Sequence, residues 1–260
     1  MSDISIERTG RIAVVRFDRG TKANPLSLSL MRDLTEVARS FDGDHDLSAV
    51  VLAGGAENFC LGFDLKDAET ARLRDAGLAE RREALKTGGR MCRAWAEVEA
   101  LTISAIDGWC VGGGVALAVS TDLRVAARGA QFYVPEIERG MNMSWGSVPR
   151  IANLTGPAKA KRLVALAEKI DAARAVEWGL ADEVADHAMA AALAFATRAA
   201  AMPPVALRMC KRAVDAYAGA LADTASWADA DQFALAQTGE DYAEGVASFV
   251  EGRPPKFTGR

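Results

Sequence analysis

Two glycine-containing segments have residue types that can stabilise a negatively charged oxygen during catalysis. Residues 58–66 (NFCLGFDLK) and residues 107–117 (DGWCVGGGVAL) each follow a predicted strand. Glycine allows the backbone to turn sharply and present an N–H group to a ligand oxygen. The three glycines at 112–114 also precede a predicted helix, whose N-terminus carries free N–H groups and a partial positive charge. Both segments are candidates for an oxyanion-binding site, although glycines also serve tight turns and close helix packing.

A third segment, residues 131–140 (QFYVPEIERG), contains a carboxyl group suited to proton transfer. Glu136 is flanked by Val134 and Ile137, and an apolar pocket around a carboxyl group raises its pKa toward neutrality. The alternative is structural, because an acidic residue after Pro135 also suits the first turn of a helix. Taken alone, this segment leaves both interpretations open.

Other catalytic and cofactor-binding patterns do not occur in the sequence. The glycines at 112–114 do not continue into GxGxxG, and no phosphate-binding Gly-Lys-Ser/Thr is present. The two histidines, His45 and His187, have no nucleophile in a recognisable elbow nearby. The four cysteines lie far apart without a CxxC pair. The sequence therefore predicts no metal site, and we expect the thiols to be reduced.

Composition and charge limit the class of protein. The chain has 260 residues, of which 50% are hydrophobic and 25% charged, as in globular proteins with a buried core. With 31 basic and 35 acidic residues the net charge is −4, which argues against nucleic acid as a partner. The N-terminal residues lack a basic and apolar leader, and no apolar run of about 18 residues occurs. We therefore expect a cytoplasmic protein without membrane contact.

Hydrophobic patterning predicts the elements that position these segments. Strands are expected at 4–7, 12–17, 49–53, 102–106 and 123–127, and helices at 26–41, 68–99 and 115–120. Ser27 suits the N-cap of the first helix. Beyond Gly156 the chain is mostly alanine-rich helix, with one short strand at 183–184. The alternation indicates an α/β fold whose loops carry the site, followed by helices that pack on each other or on a neighbouring subunit.

In this order and spacing, the three segments resemble those of the crotonase (enoyl-CoA hydratase/isomerase) superfamily. The resemblance covers nearly the whole chain. Residues 22–26 (KANPL) resemble the "KANAL" turn of that family, and residues 244–253 (EGVASFVEGR) resemble its terminal "EGxxAFxEKR" helix. Each motif alone is weak, but the ordered set is specific.

The resemblance implies a spiral of ββα units and a C-terminal helical part that builds trimers or hexamers. We place the spiral core at residues 1–195 and the oligomerisation segment at 196–260. It also implies an acyl-CoA thioester as substrate, with no separate cofactor. By motif position the backbone N–H groups of Phe63 and Gly113 would hold the thioester oxygen, and Glu136 would exchange the proton.

The resemblance further implies a set of residues that contact CoA. These are Asn24, Phe63, Asp64, Leu65, Lys66, Gly113, Lys256 and Phe257. Because CoA is a polyanion and the chain is acidic overall, a local basic patch is required, and the candidates are Lys66, Arg150 and Lys256. The shape of the acyl pocket depends on residues 68–86, the stretch least similar to the family.

One position departs from the family pattern and leaves the reaction open. Hydratases of the family carry two glutamates, and Ala116 stands where the first is expected. A single glutamate at 136 suits the transfer of a proton from C2 to C4 of an enoyl-CoA, so isomerisation is favoured over hydration. A hydroxycinnamoyl-CoA hydratase-lyase and a non-catalytic CoA- or RNA-binding member are the alternatives. Ser144 occupies the position of the dehalogenase nucleophile, which argues against that branch.

Overall fold

The computed structural model describes residues 3–260, except for the side chain of Arg74. The strands are β1 (Ile4–Thr9), β2 (Ile12–Phe17), β3 (Ala49–Ala53), β4 (Leu101–Ile106), β5 (Trp109–Val111), β6 (Leu123–Ala127), β7 (Gln131–Tyr133), β8 (Ile170–Asp171) and β9 (Glu183–Ala185). The helices are α1 (Leu28–Arg39), α2 (Ala68–Arg72), α3 (Leu78–Leu85), α4 (Thr87–Glu97), α5 (Gly113–Ala118), α6 (Ser147–Thr155), α7 (Pro157–Ala165), α8 (Ala172–Trp178), α9 (Ala188–Ala200), α10 (Pro204–Ala218), α11 (Ala222–Ser226), α12 (Asp229–Ala236) and α13 (Glu240–Glu251). Short 3-10 helices span Leu73–Asp75 and Glu136–Arg139.

The larger sheet has the strand order β1-β2-β3-β4-β6-β9. The hairpin β1-β2 is antiparallel and the remaining pairs are parallel. All five residues of β3 are buried, because helices cover both faces of the sheet and a parallel strand then reads as a continuous apolar run. On one face Leu52 packs in the same cluster as Met31 of α1 and Trp95 of α4. On the other, Val51 and Ile103 pack against the alanines of α9.

The smaller sheet, β5-β7-β8, lies beside the larger one and gives the fold its repeat. In successive turns the chain adds one strand to the larger sheet and then one extended segment to the smaller layer. β4 is followed by β5 and β6 by β7, while β3 is followed by Cys60, which forms an isolated parallel bridge with Cys110 of β5. This is the predicted α/β spiral, and the fold class is confirmed.

The prediction of one long helical stretch at 68–99 is wrong, because the helix is not continuous. The structure divides it into α2, a 3-10 turn, α3 and α4. Asp67 caps α2 by accepting a hydrogen bond from the backbone N–H of Glu69, and the chain is extended at Ala76 and Gly77 before α3 begins. Helices α2 and α3 have no buried residue. Because they have no apolar face packed on the core, nothing holds this polar stretch in one continuous helix. Strands β5, β7 and β8 were not predicted, because two or three residues are too few to show a hydrophobic period.

The predicted boundary between residues 195 and 196 falls inside α9 and needs correction. This helix is continuous from Ala188 to Ala200, and Ala192, Ala196 and Ala199 are buried against the larger sheet. Small side chains allow the helix to approach the sheet closely, so the whole of α9 belongs to the core. The segment that leaves the core starts after it, before α10. The division into a core and an oligomerisation segment otherwise stays a prediction.

In the described part of the chain, helices α9 and α10 are the one pair of consecutive helices that could be considered as a membrane span. Within residues 3–260 no single helix is long and apolar enough to cross a membrane. Taken together, α9 and α10 have the length and apolar composition of a membrane span, but the two helices are bent by 114° at the break between them.

Candidate active site

The spiral brings the three predicted catalytic positions together. Cys60, Cys110 and Phe132 are in register across the smaller layer, through the bridge from residue 60 to residue 110 and the pairing of β5 with β7. Phe63 follows the first of these residues by three positions, Gly113 follows the second by three and Glu136 follows the third by four. All three residues therefore leave the same edge of the layer, and all three line one cavity.

Two backbone N–H groups at this edge have no partner. Leu26 donates its N–H to the Gly62 carbonyl (2.8 Å) and accepts from the Asp64 N–H (2.9 Å), which fixes the peptides around Phe63. The N–H groups of Phe63 and of Gly113, the first residue of α5, donate to no acceptor among the described residues. A Cβ atom on Gly62 would lie 3.6 Å from the Gly113 nitrogen. The two free donors therefore lie close together, one of them at a helix N-terminus, as the predicted oxyanion-binding role requires.

The Glu136 carboxylate lies directly against the backbone before Gly113. A Cβ atom on Gly112 would lie 2.4 Å from Glu136 Oε1, and Gly112 has φ +52°. Both the space and the backbone conformation therefore require glycine. The Gly112 N–H donates to the Tyr133 carbonyl (2.8 Å), which ties the start of α5 to the end of β7. The carboxylate and the free N–H of Gly113 thus face the same cavity.

Burial makes the Glu136 carboxyl group a weaker acid than an exposed glutamate. Its Oε2 atom is inaccessible to solvent and has no hydrogen-bond partner in the described part of the chain. Burial raises the pKa of Glu136 to about 7, and the charge of Arg139 only partly opposes this. Arg139 instead donates to the Pro135 carbonyl (2.9 Å) and lies 4.1 Å from the centre of the Phe249 ring. A carboxyl group with a pKa near neutrality can both accept and return a proton.

The cavity has a volume of about 190 Å³ and is mostly apolar. Its lining residues are Leu28, Met31, Phe63, Leu65, Thr70, Leu73, Arg81, Ala84, Leu85, Gly88, Gly113, Glu136, Met141, Met143, Ser144, Trp145, Ala230, Phe233, Gln237 and Tyr242. They come from both halves of the chain, because α12 and α13 close the side that α3 leaves open. A concave, mostly apolar cavity of this kind is suited to a small acyl group.

Trp145 forms one wall of the cavity next to the free N–H groups. Its backbone has φ +62°, which is rare for a bulky residue. Cβ atoms on Gly88 and Gly113 would lie 2.1 Å and 2.5 Å from its ring, so the indole lies between α4 and the start of α5. The ring also makes an edge contact with Phe63, with centroids 6.4 Å apart. No pattern in the sequence indicates this contact, since only tertiary packing brings the Trp145 ring to Gly113.

Some predicted CoA contacts lie away from the cavity. Leu65 lines it, but Asn24 is fully buried elsewhere, and its amide donates to the Phe17 and Phe59 carbonyls (3.0 and 2.9 Å). Its side chain holds the turn and has no capacity left for a ligand. The Asp64 carboxylate is bound to Arg19 at 2.5 Å. These two residues shape the loop before α2 and do not line the cavity.

The basic patch predicted at Lys66, Arg150 and Lys256 stays a prediction, and the structure shows only the local contacts of each residue. Lys66 is exposed beside the cavity entrance loop, while Arg150 donates to the Gly146 carbonyl at 2.9 Å. The backbone N–H of Lys256 donates to Glu244 at 2.8 Å. The tail that carries Lys256 and Phe257 lies along the first turns of α13, where carboxylates accept its N–H groups. Neither tail residue lines the cavity.

The remaining candidate groups take no part in the site. Ala116 is fully buried in α5 and does not line the cavity, and neither histidine does. Cys60 is buried, which raises the pKa of its thiol to about 12, so it stays protonated. Its sulfur accepts the Gly62 N–H at 3.2 Å and helps to orient the peptide before Phe63.

Comparison with known proteins agrees with this geometry. Residues 7–260 match the family described as enoyl-CoA hydratase/isomerase. The chain is 34% identical over 260 residues to "Probable enoyl-CoA hydratase echA8" of Mycobacterium tuberculosis, covering 99% of this chain and 98% of that protein. It is 27% identical to the short-chain-enoyl-CoA hydratase of Clostridium acetobutylicum, covering 97% and 96%.

A solved structure supports the fold in the same way. The enoyl-CoA hydratase of Mycobacterium avium subsp. paratuberculosis K-10 superimposes with a TM-score of 0.87 at 22% identity, covering 99% of both chains. This likeness concerns the fold, while the family match and the 34% identical relative concern the sequence. The chain belongs to the enoyl-CoA hydratase/isomerase family, the crotonase superfamily.

Proposed function

We propose that the protein isomerises enoyl-CoA thioesters by moving a proton from C2 to C4 with one carboxyl group. The observation that carries the proposal is the isolation of Glu136. Among the described residues that line the cavity it is the only acid, and the helix position that would supply a second carboxylate holds the buried Ala116. A single base next to two free N–H groups is sufficient for proton transfer but offers nothing to activate water.

The proposed reaction uses the chain's own groups in two steps. The thioester oxygen of a 3-enoyl-CoA accepts hydrogen bonds from the N–H groups of Phe63 and Gly113. Glu136 removes a proton from C2, and the electron pair moves into a dienolate whose charge rests on that oxygen. Glu136 then returns the proton to C4, which gives the 2-enoyl-CoA and restores the carboxylate. Because the reaction is redox-neutral, it requires no cofactor besides the CoA of the substrate.

Hydration of a 2-enoyl-CoA is the second candidate, because the relatives are named hydratases. The two reactions need opposite forms of Glu136. Isomerisation begins with the ionised carboxylate as base, whereas hydration with one carboxyl group needs the protonated form to supply the C2 proton. With the pKa of Glu136 at about 7, kcat/KM for isomerisation rises with pH up to about 7 and then levels off. For hydration, kcat/KM is constant below about 7 and falls above it.

The experiment compares 3-hexenoyl-CoA and 2-hexenoyl-CoA with the purified protein between pH 5 and 9. We expect the 3-enoyl thioester to be converted to the 2-enoyl thioester, with a rising limb that ends near pH 7. We expect 3-hydroxyacyl-CoA to form much more slowly. Hydration faster than isomerisation, with activity lost above pH 7, would instead assign the protein to the hydratases. Turnover of neither substrate would favour a role in binding alone.

We also propose that the protein assembles as a homotrimer or a dimer of trimers. The helix α10 has no buried residue, yet Val205, Met209 and Tyr217 are 68%, 66% and 88% exposed. They are separated by four and by eight residues, which places them along one side of the helix. Such an apolar stripe is typical of a subunit interface. Light scattering should give three or six times 27.5 kDa, and Met209→Glu should lower the mass. A wild-type monomer would contradict the proposal.

A further inference from the structure

Arg81 introduces a positive charge into a cavity that is otherwise mostly apolar. It lies on α3, which packs against α12, and it lines the cavity. Among the described lining residues it is the only cation. Desolvating a charge is costly unless the charge finds a partner, so an arginine at the wall of an acyl-binding cavity requires an explanation.

Three cations that follow Arg81 in the sequence have carboxylate partners, whereas Arg81 has none among the described side chains. Arg82 binds Asp231 at 2.5 Å, and Lys86 and Arg90 both bind Glu83, at 3.2 and 2.5 Å. The Arg81 guanidinium makes no hydrogen bond or ion pair within residues 3–260. It is partly buried. Its five N–H donors are therefore available to a ligand that enters the cavity.

The cavity wall also carries the uncharged polar side chains of Gln237 and Tyr242. The bond from Arg82 to Asp231 holds α3 against α12, whose C-terminal end leads to Gln237. Gln237 donates to the Tyr242 hydroxyl at 3.4 Å, and this leaves the hydroxyl hydrogen free to donate. Both side chains line the cavity and add uncharged donors to its wall.

Arg81 lies at a suitable distance from the free N–H groups. It precedes Gly88 by seven residues on the nearly continuous helices α3 and α4, which corresponds to about 10 Å along the axis. Gly88 marks the position of the Trp145 ring, and this ring also lies against Gly113. The backbone positions of Arg81 and Gly88 are therefore separated by roughly the extended length of a six- to eight-carbon acyl chain.

We propose that Arg81 binds a carboxylate at the far end of the acyl group, so that the preferred substrates are CoA thioesters of dicarboxylic acids. This rests on the proposed function only in placing an acyl-CoA in the cavity. Arginine is suited to this role because its planar guanidinium can bind both oxygens of a carboxylate. A neutral chain would cover the cation without pairing it, which disfavours binding.

Binding of saturated thioesters tests the proposal without any turnover. Calorimetry compares adipoyl-CoA, which carries the distal carboxylate, with hexanoyl-CoA of the same length. The wild type should bind adipoyl-CoA at least about tenfold more tightly, as one charge-assisted contact typically provides. Arg81→Gln should remove the preference, and its affinity for hexanoyl-CoA should equal or exceed that of the wild type. Arg90→Gln is the matched control, because Arg90 is exposed and does not line the cavity.

Two results would overturn the proposal. Equal or tighter binding of hexanoyl-CoA by the wild type would show that no distal carboxylate is recognised. An equal loss of affinity for adipoyl-CoA, hexanoyl-CoA and free CoA in Arg81→Gln would assign Arg81 to the CoA phosphates instead. If the protein binds adipoyl-CoA preferentially but isomerises no enoyl-CoA, the proposed function fails while the inference about Arg81 stands.

Discussion

Glu136→Gln is expected to lower kcat for isomerisation by about a thousandfold while the affinity for acyl-CoA changes little. The substitution keeps the size of the side chain and removes the group that accepts the C2 proton. General acid–base catalysis by one positioned side chain contributes about 10²- to 10⁴-fold. No second carboxyl group lines the cavity among the described residues, so nothing nearby can replace it. Stopped-flow kinetics with 3-hexenoyl-CoA and calorimetry with hexanoyl-CoA measure the two effects.

Glu138→Gln provides the matched control for this prediction. Glu138 lies two residues further along the same 3-10 helix, is exposed, and bonds to the Tyr133 hydroxyl. It does not line the cavity. We expect this variant to keep nearly full activity. If Glu136→Gln retained activity within about threefold of the wild type, proton transfer by Glu136 would be wrong.

Gly113→Pro is expected to be about 10²- to 10³-fold slower than Gly113→Ala in kcat/KM. Proline lacks the N–H that would hold the thioester oxygen, and loss of one oxyanion donor typically has this effect. Gly113 is the first residue of α5, a position where helices tolerate proline. The comparison therefore isolates the N–H group from the backbone fold.

The alanine variant accounts for crowding. Any Cβ atom at residue 113 would lie 2.5 Å from the Trp145 ring, so both variants must displace the indole to the same extent. Their difference then reports the missing donor together with the proline Cδ atom, which takes the place of the N–H hydrogen. Circular dichroism and CoA affinity check that both variants fold. Equal rates for Gly113→Pro and Gly113→Ala would exclude the Gly113 N–H as an oxyanion donor.

The three cavity positions Phe63, Gly113 and Glu136 could be predicted from sequence because they follow local backbone features. Glycines mark the turns that follow Cys60 and Cys110, and a proline precedes Glu136. Strand pairing then brings the three turns together automatically, since Cys60, Cys110 and Phe132 are in register. In a repeated spiral, three motifs that are separate in the sequence lie at the same edge of the layer. Their order along the chain was therefore sufficient to predict that they meet.

The walls of the cavity could not be predicted in the same way. Trp145 reaches Gly113 only because α4 and α5 leave space for its ring at two glycines. Arg81 lies in the charged stretch whose helix breaks were not predicted, and only its packing against α12 shows which side faces the cavity. The position of the C-terminal tail depends on carboxylates of α13 that accept its N–H groups. Each of these features arises from contacts between distant segments, which carry no local signal.

Transfer of a label from C2 to C4 tests the central claim most directly. 3-Hexenoyl-CoA carrying deuterium at C2 is converted in a single turnover with excess enzyme in ordinary water, and NMR locates the deuterium in the 2-hexenoyl-CoA. Because Glu136 Oε2 is inaccessible to solvent, one carboxyl group should carry part of the deuterium to C4. Product with deuterium at C4 is the predicted result. Product with only protium at C4 would contradict a single secluded carboxyl group as the proton carrier.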